Sequence, residues 1–201
     1  MARQGWPRAE GRMTVGLLGG SFDPPHSGHV HISREALKRL RLNAIWWLVT
    51  PGNPLKRDAP ADLQRRMAAA RGLVQHPRIH VSDLEARLGL TYTAETIDAL
   101  RRHYPDVHFV WLMGADNLAQ FHRWQNWRAI METVPVAVMA RPGERISART
   151  STAAQCYSFA KLPAAAAPVL ARRAAPSWCF LNVPMRDISS SEIRRSGAWR
   201  A

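Results

Sequence analysis

The sequence is poor in cysteine and in acidic residues, and it contains no long hydrophobic run. Its two cysteines, Cys156 and Cys179, are too few and too far apart to form a disulfide framework, which favours a reducing, cytoplasmic location. The apolar runs at 46–49 and 134–140 are much shorter than the ~20 residues of a transmembrane helix. We therefore expect no membrane partner.

Basic residues outnumber acidic ones by 28 to 15, which gives a net charge of +13. Such a protein attracts polyanions or phosphorylated ligands. Hydrophobic residues make up 46% of the 201 residues, enough for one globular domain, which we assign to 13–201. The preceding residues 1–12 lack the apolar segment of a secretory signal, so we expect a flexible basic leader there unless Met13 is the true start.

Short apolar runs alternate with longer segments of helical period, and this alternation predicts an α/β fold with a mainly parallel sheet. Helices are expected at 28–40, at 61–74 and after Thr93, whose hydroxyl can cap the third helix. The Ala-rich stretch 145–176 has no clear period, and we expect it to be a helix-containing excursion of the same domain. The apolar runs indicate strands buried on both faces, at 15–18, 45–49, 78–81, 107–112, 134–140 and 178–183.

The segment 19–29, with the sequence GGSFDPPHSGH, follows the first predicted strand and leads into the first helix. Ligands of doubly wound sheets usually bind at such a junction. Gly19 and Gly20 let the backbone approach a ligand closely, and the free N–H groups of the helix start favour a phosphate. His26 and His29, in the pattern His-x-Gly-His, can donate hydrogen bonds to phosphate oxygens.

Other interpretations of this segment remain open. It is neither a Walker loop nor the G-x-G-x-x-G fingerprint of dinucleotide-binding proteins. It could be a Gly-Pro-rich turn whose histidines are solvated. A metal site formed by His26, His29 and His31 is less favoured, because no cysteine lies nearby and Asp23 is the only evident carboxylate.

A second motif lies near the C-terminus, at 188–195, with the sequence ISSSEIRR. Ser189 and Glu192 have the spacing of a capping box, which predicts the start of a helix. Ser190, Ser191 and Arg194 could bind a polyphosphate at that helix start. The structural alternative is a well-capped terminal helix with no ligand.

Together these two motifs resemble the nucleotidyltransferase superfamily of adenylyl and cytidylyl transferases, and within it the bacterial nicotinate-nucleotide adenylyltransferases. The resemblance covers about 13–143 and 178–196. Where that family usually has Ile-Ser-Ser-Thr, this chain has Ser191 in the last place, which retains the hydroxyl. Further matching segments are TPGNPLK at 50–56, TYT at 91–93, GAD at 114–116, Trp124 and RPG at 141–143.

The resemblance implies a Rossmann-like, doubly wound sheet with a small C-terminal helical portion. It also implies transfer of the adenylyl group of ATP to nicotinate mononucleotide, which yields nicotinate adenine dinucleotide and pyrophosphate in NAD biosynthesis. The reaction would be a direct in-line displacement, with Mg²⁺ held chiefly by the ATP phosphates and water rather than by a protein metal site.

By the same resemblance, each candidate site residue has a role. The catalytic residues would be His26, His29 and Arg194. ATP would be bound by Gly19, Gly20, Ser21, Phe22, Gly114, Asp116, Ser190 and Ser191. The mononucleotide would be bound by Asn53, Lys56, Tyr92, Thr93 and Trp124.

Some alternatives stay open at this point. Asn53 could simply form a turn, Thr93 a helix cap and Trp124 part of the core. The acceptor could be nicotinamide mononucleotide or phosphopantetheine, although the segments at 91–93 and 114–116 argue against phosphopantetheine. A basic nucleic-acid-binding protein would explain the charge, but the basic residues are scattered without a known motif, so we expect no nucleic-acid partner. The sequence does not indicate an oligomeric state.

Overall fold

The computed structural model describes residues 6–52, 59–140, 145–184 and 188–199. Seven strands form one sheet in the order β3-β2-β1-β4-β5-β7-β6, and every strand pair in it is parallel. The strands are Thr14–Gly20 (β1), Ala44–Val49 (β2), Ile79–Ser82 (β3), His108–Gly114 (β4), Val136–Ala140 (β5), Lys161–Leu162 (β6) and Trp178–Asn182 (β7).

Helices connect these strands and cover both faces of the sheet. Within the described ranges, 3₁₀ helices lie at Phe121–Arg123, Ser158–Ala160 and Ala164–Arg172. The α-helices are Ser27–Arg39 (α1), Leu63–Leu73 (α2), Leu84–Leu88 (α3), Thr93–His103 (α4), Ala115–Gln120 (α5), Trp127–Thr133 (α6), Arg145–Arg149 (α7), Thr152–Cys156 (α8) and Ser190–Arg195 (α9).

The core lies in two layers, one on each face of the sheet. Alternate residues of β2 show this division, because Trp46 packs into one layer with helices α4 and α6, whereas Ile45 and Trp47 pack into the other with α1 and α2. All six residues of β2 are therefore buried. The predicted doubly wound, Rossmann-like α/β fold is confirmed, and so are the six predicted strands.

The order of the strands determines where a ligand can bind. The chain winds from β1 outward through β2 to β3, and then returns to place β4 on the other side of β1. The winding direction thus reverses between β1 and β4, and this switch point opens a crevice at the carboxyl ends of the two strands. Gly20 ends β1 and Gly114 ends β4, so both predicted glycine segments border the crevice.

The stretch 145–176 contributes a strand to the sheet that the sequence did not indicate. The two residues of β6 pair with Trp178 and Cys179 of β7 and extend the sheet at its edge. The following 3₁₀ helix buries Ala167, Leu170 and Ala171 against the sheet. No helix in the described parts of the chain is both long and apolar enough to cross a bilayer.

The described part of the N-terminal leader is packed against the domain. The indole of Trp6 stacks on the ring of His103 with 3.9 Å between centroids, and Ala9 is buried. The hydroxyl of Tyr104 donates a hydrogen bond to the carbonyl of Pro7. Residues in the range 6–9 therefore contact the domain, and the flexibility of the leader stays a prediction.

The start of α4 also differs from the prediction. Tyr92, not Thr93, is the N-cap residue, and Thr93 is the first residue of the helix. The side chain of Glu95 reaches back and accepts a hydrogen bond from the N–H of Tyr92 at 3.3 Å. The prediction that the Thr93 hydroxyl caps this helix is wrong, because Thr93 is the first residue of the helix and not its N-cap.

Candidate active site

The loop between β1 and α1 places two histidines at one helix start. His26 is the N-cap residue of α1 and His29 is its third residue, so both rings lie on the same side, with 3.9 Å between their centroids. Nδ1 of His26 accepts a hydrogen bond from the N–H of Gly28 at 3.2 Å, and Nδ1 of His29 accepts one from the N–H of His26 at 3.1 Å. Since a backbone N–H always carries its proton, these contacts assign the proton of each neutral ring to Nε2. Both imidazoles are therefore set up as donors through Nε2.

Aromatic side chains hold His29 in position. Phe22 lies between two rings, stacked on Trp47 at 4.7 Å and packed on His29 at 4.9 Å between centroids. Ser33 connects the same residues, because its hydroxyl donates to the carbonyl of His29 and accepts from the indole N–H of Trp47, both at 2.8 Å. The side chain of Phe22 is thus buried in the core, and an ATP contact at this residue would involve its backbone.

The C-terminal motif folds back onto this loop. The guanidinium of Arg194 donates to the carbonyl of Asp23 and lies 3.8 Å from its carboxylate. The hydroxyl of Ser190 donates to the carbonyl of Pro24 at 2.9 Å. The indole N–H of Trp199 donates to the carboxylate of Asp23 at 2.7 Å. Two motifs more than 160 residues apart in the sequence therefore form one cluster.

The short helix α9 begins as the sequence predicts. The hydroxyl of Ser189 accepts a hydrogen bond from the N–H of Glu192 at 3.2 Å, and the Glu192 carboxylate accepts one from the N–H of Ser189 at 2.8 Å. This confirms the predicted capping box. Arg194 also donates to the hydroxyl of Ser191 at 3.3 Å, so the guanidinium and this hydroxyl are in contact.

Gly114 and Asp116 lie on the other side of the crevice. Gly114 is the N-cap residue of α5, and Asp116 lies in the first turn of that helix with an exposed side chain. The Asp116 carboxylate is folded back over Gly114, so that a Cβ atom at position 114 would collide with Oδ1. The glycine therefore leaves space for the carboxylate at the edge of the crevice.

The predicted acceptor residues are only partly described. Tyr92 and Thr93 are half-buried at the start of α4, and the carbonyl of Tyr92 accepts hydrogen bonds from Thr96. Trp124 is half-buried and packs edge-on against Trp111 and Phe121, at 6.2 and 5.2 Å between centroids. Its ring therefore belongs partly to the core, as the structural alternative proposed. Asn53, Lys56 and the segment 141–143 lie outside the described residues.

Two buried charged residues beneath these loops were missed by the sequence reasoning. Arg66 is 1% exposed, and burial lowers the pKa of its guanidinium. Glu85 is 5% exposed, and burial raises the pKa of its carboxyl group to about 7. The sequence does indicate the burial of Arg66, because this residue lies three residues after Leu63 and four before Ala70, on the buried stripe of α2. The burial of Glu85 has no such indication, because its helix has only five residues.

The described residues contain no group of three or more histidine, cysteine, aspartate or glutamate side chains that could hold a metal ion. Asp23 lies closest in sequence to the two histidines. Its carboxylate already accepts from Trp199 and lies near Arg194, so its charge is partly satisfied within the protein.

We expect Gly19→Ala to destabilise the protein by about 1–3 kcal/mol through overpacking. A Cβ atom at position 19 would lie 2.5 Å from Cη2 of Trp111, so this fully buried ring or the backbone would have to shift. Gly20→Ala is the matched control, since its Cβ would meet the ring of Phe22 at an ordinary 3.5 Å. Urea denaturation of both variants tests this prediction, and equal midpoints would contradict it.

A family model and sequence relatives show to which proteins this chain is similar. The model of the cytidylyltransferase-like family matches residues 17–196. A relative from Ruegeria sp. (strain TM1040), named "Probable nicotinate-nucleotide adenylyltransferase", is 65% identical over 93% of this chain and 99% of its own length. A relative of the same name from Methylorubrum extorquens is 50% identical over 90% of this chain and 99% of its own length.

A solved structure of similar fold is the Plasmodium falciparum nicotinic acid mononucleotide adenylyltransferase complexed with NaAD. It has a TM-score of 0.70 and 17% identity, and the match covers 90% of this chain and 82% of that one. At this identity the likeness concerns the fold alone, whereas the family is shown by the sequence relatives. The chain belongs to the cytidylyltransferase-like family and, within it, to the nicotinate-nucleotide adenylyltransferases.

Proposed function

We infer that the protein transfers the adenylyl group of ATP to nicotinate mononucleotide, giving nicotinate adenine dinucleotide and pyrophosphate. The observation that carries this inference is the cluster of His26, His29 and Arg194 at the switch point of a chain that is 65% identical to relatives of that name. The cluster presents imidazole and guanidinium donors at a helix start, which is the arrangement that a polyphosphate requires.

The residues of the cluster have distinct roles in this proposal. A phosphate oxygen of the mononucleotide attacks the α-phosphorus of ATP as the bond to the leaving pyrophosphate breaks. His26 and His29 donate hydrogen bonds through Nε2 to the phosphate oxygens and stabilise the charge of the transition state. Arg194, Ser190 and Ser191 bind the β- and γ-phosphates, and no covalent enzyme intermediate forms.

Backbone and crevice residues complete the ATP site. Gly19, Gly20, Ser21 and Phe22 line the phosphates through their backbone atoms, and Gly114 with Asp116 lies beside the adenosine. ATP would carry Mg²⁺ on its phosphates, and the ion would supply neutralisation of their charge. The donor set fits a metal held mainly by substrate and water, because the Asp23 carboxylate is already engaged by protein donors.

On the acceptor side, Asn53 and Lys56 bind the mononucleotide and Trp124 contacts its pyridine ring. Tyr92 and Thr93 face the nicotinate carboxylate at the start of α4, where the helix dipole favours a negative charge. We also propose a cytoplasmic location, since Cys156 and Cys179 both carry free thiols.

We expect pyrophosphate release from ATP and Mg²⁺ to be at least about tenfold faster with nicotinate mononucleotide than with nicotinamide mononucleotide, a difference of about 1.4 kcal/mol. The physical reason is that the positive end of the helix dipole at the start of α4 favours the carboxylate of nicotinate, which nicotinamide lacks. The assay measures pyrophosphate with both acceptors at equal concentration and uses phosphopantetheine as the control. Equal rates with the two pyridine nucleotides would retain the reaction and reject the carboxylate-binding role of Tyr92 and Thr93. No release with any acceptor would overturn the proposed function.

A further inference from the structure

Arg66 lies beneath the candidate active site, in an environment unusual for a charged side chain. It projects from α2 toward the carboxyl edge of the sheet and is almost fully buried. No carboxylate of the described ranges lies within ion-pair distance of its guanidinium. Its donors are used instead on backbone carbonyl groups, which are expensive to leave unpaired when buried.

The carbonyls that Arg66 binds belong to the segments proposed to bind ATP and the acceptor, and to Ala61 shortly before α2. Nη1 donates to the carbonyl of Ser21 at 2.7 Å and to the carbonyl of Thr50 at 2.8 Å. Nη2 donates to the carbonyl of Pro51 at 3.3 Å, and Nε donates to that of Ala61 at 2.7 Å. Ser21 belongs to the loop that carries His26 and His29, whereas Thr50 and Pro51 follow β2 and lead to Asn53. One guanidinium thus joins the loop at 21–26, here called the ATP loop, to the segment at 50–52, here called the acceptor loop.

A separate set of buried polar contacts lies at the start of α4. The carboxyl of Glu85 accepts from the hydroxyl of Thr96 at 3.0 Å, and the amide of Thr96 donates to the carbonyl of Tyr92 at 3.1 Å. The hydroxyl of Thr50 donates to the carbonyl of Gly52 at 2.6 Å, within its own segment. The hydrogen bonds between the Ser21 segment and the Thr50–Pro51 segment described above are therefore those of Arg66.

We propose that Arg66 is a positioning residue for adenylyl transfer, which sets the separation between the α-phosphate of ATP and the attacking phosphate by binding carbonyls of both loops. This inference rests on the proposed function. In-line displacement needs both phosphates in a near-attack geometry, and an error of about 1 Å can lower the rate on the order of 10²-fold. The planar fork of arginine is suited to this role, because its nitrogens point in fixed directions, whereas a lysine ammonium is a single point on a flexible stem.

The test compares Arg66→Lys with Arg71→Lys, an exposed arginine on the same helix. For Arg66→Lys we expect kcat to fall on the order of 10²-fold. The dissociation constants of ATP alone and of nicotinate mononucleotide alone, measured by calorimetry, should change less than about threefold, because each loop still folds around its own substrate. Arg71→Lys should leave kcat and both constants unchanged. Arg66→Gln, which buries no charge, serves as a second variant if Arg66→Lys does not fold.

The outcomes separate positioning from other roles. A folded Arg66 variant with wild-type kcat would overturn the proposal. So would a loss of kcat that is matched by an equal loss of affinity for each single substrate, because that result indicates local collapse of the site. A wild-type protein that releases no pyrophosphate would instead refute the proposed function itself.

Discussion

Replacing His29 with alanine is expected to lower kcat for pyrophosphate release by about 10²- to 10⁴-fold. The ring is held by Phe22 and Trp47, and its Nδ1 is occupied by the N–H of His26, so Nε2 is the donor that can act on phosphate. The variant should keep its fold, since His29 is half-buried at the surface of the domain. Steady-state kinetics and circular dichroism measure the two effects.

A second substitution, His29→Gln, distinguishes the loss of the imidazole from the loss of the hydrogen bond at the helix start. His29→Ala also removes the acceptor for the N–H of His26, which costs about 0.5–2 kcal/mol. His29→Gln retains an acceptor at the third helical position, where glutamine is common in capping boxes, but has no imidazole. Both variants should lose turnover, and only the alanine variant should lose stability. His80→Ala, at an exposed position of the edge strand β3, is the control. Near-wild-type turnover of His29→Gln would remove His29 from the mechanism.

The strands were predictable because their burial is visible in the local sequence. Runs such as Ile45 to Val49 are apolar at every position, since helices cover both faces of the sheet. Strand β6 has no such signal, because it consists of Lys161 and Leu162 and pairs on one side only. The 3₁₀ helix that follows was not predictable either, since its alanines favour an α-helix while Pro168 within it opposes one.

The two helix starts at the candidate site were predictable because local motifs define them. The His-x-Gly-His motif and the capping box at Ser189 each predict a helix start from a few neighbouring residues. Their contact with each other depends on the tertiary fold, which brings Arg194 to Asp23. The hydrogen bond from Trp199 to Asp23 spans 176 residues, and no local pattern predicts it. The burial of Arg66 was missed although it lies on the buried stripe of α2, because an arginine in an amphipathic helix usually faces water.

The glycines show how one residue type can serve two purposes in the same motif. That Gly19 lets the backbone approach a ligand stays a prediction, and the absence of a side chain at this position also leaves space for the ring of Trp111 in the core. Trp111 in turn packs against Trp124. The position of the Trp124 ring therefore depends on packing beneath the loop between β1 and α1, which a motif-based interpretation does not reveal.

Glu85 should make the stability of the protein fall as the pH rises from about 5 to about 8. Burial raises the pKa of its carboxyl from an ordinary value of 4.5 to about 7, so the native state retains a proton that the unfolded chain releases. The resulting stabilisation is complete below about pH 4.5 and is lost as the pH rises through about 7. The difference between the two pKa values corresponds to about 3 kcal/mol.

The matched experiment uses Glu85→Gln, which imitates the protonated carboxyl and can still accept from Thr96. The free energy of unfolding is measured by urea denaturation of both proteins between pH 5 and 8. The lowered pKa values of His76 and His80 act in the opposite direction in the wild type, so the difference between variant and wild type is the useful quantity. That difference should increase by about 2–3 kcal/mol in favour of the variant as the pH rises. Asp98→Asn, which removes an exposed carboxylate of α4, should show no such increase. A difference that stays constant with pH would mean that Glu85 is already ionised in the folded protein, because only a group whose proton affinity changes on folding can contribute a pH-dependent free energy.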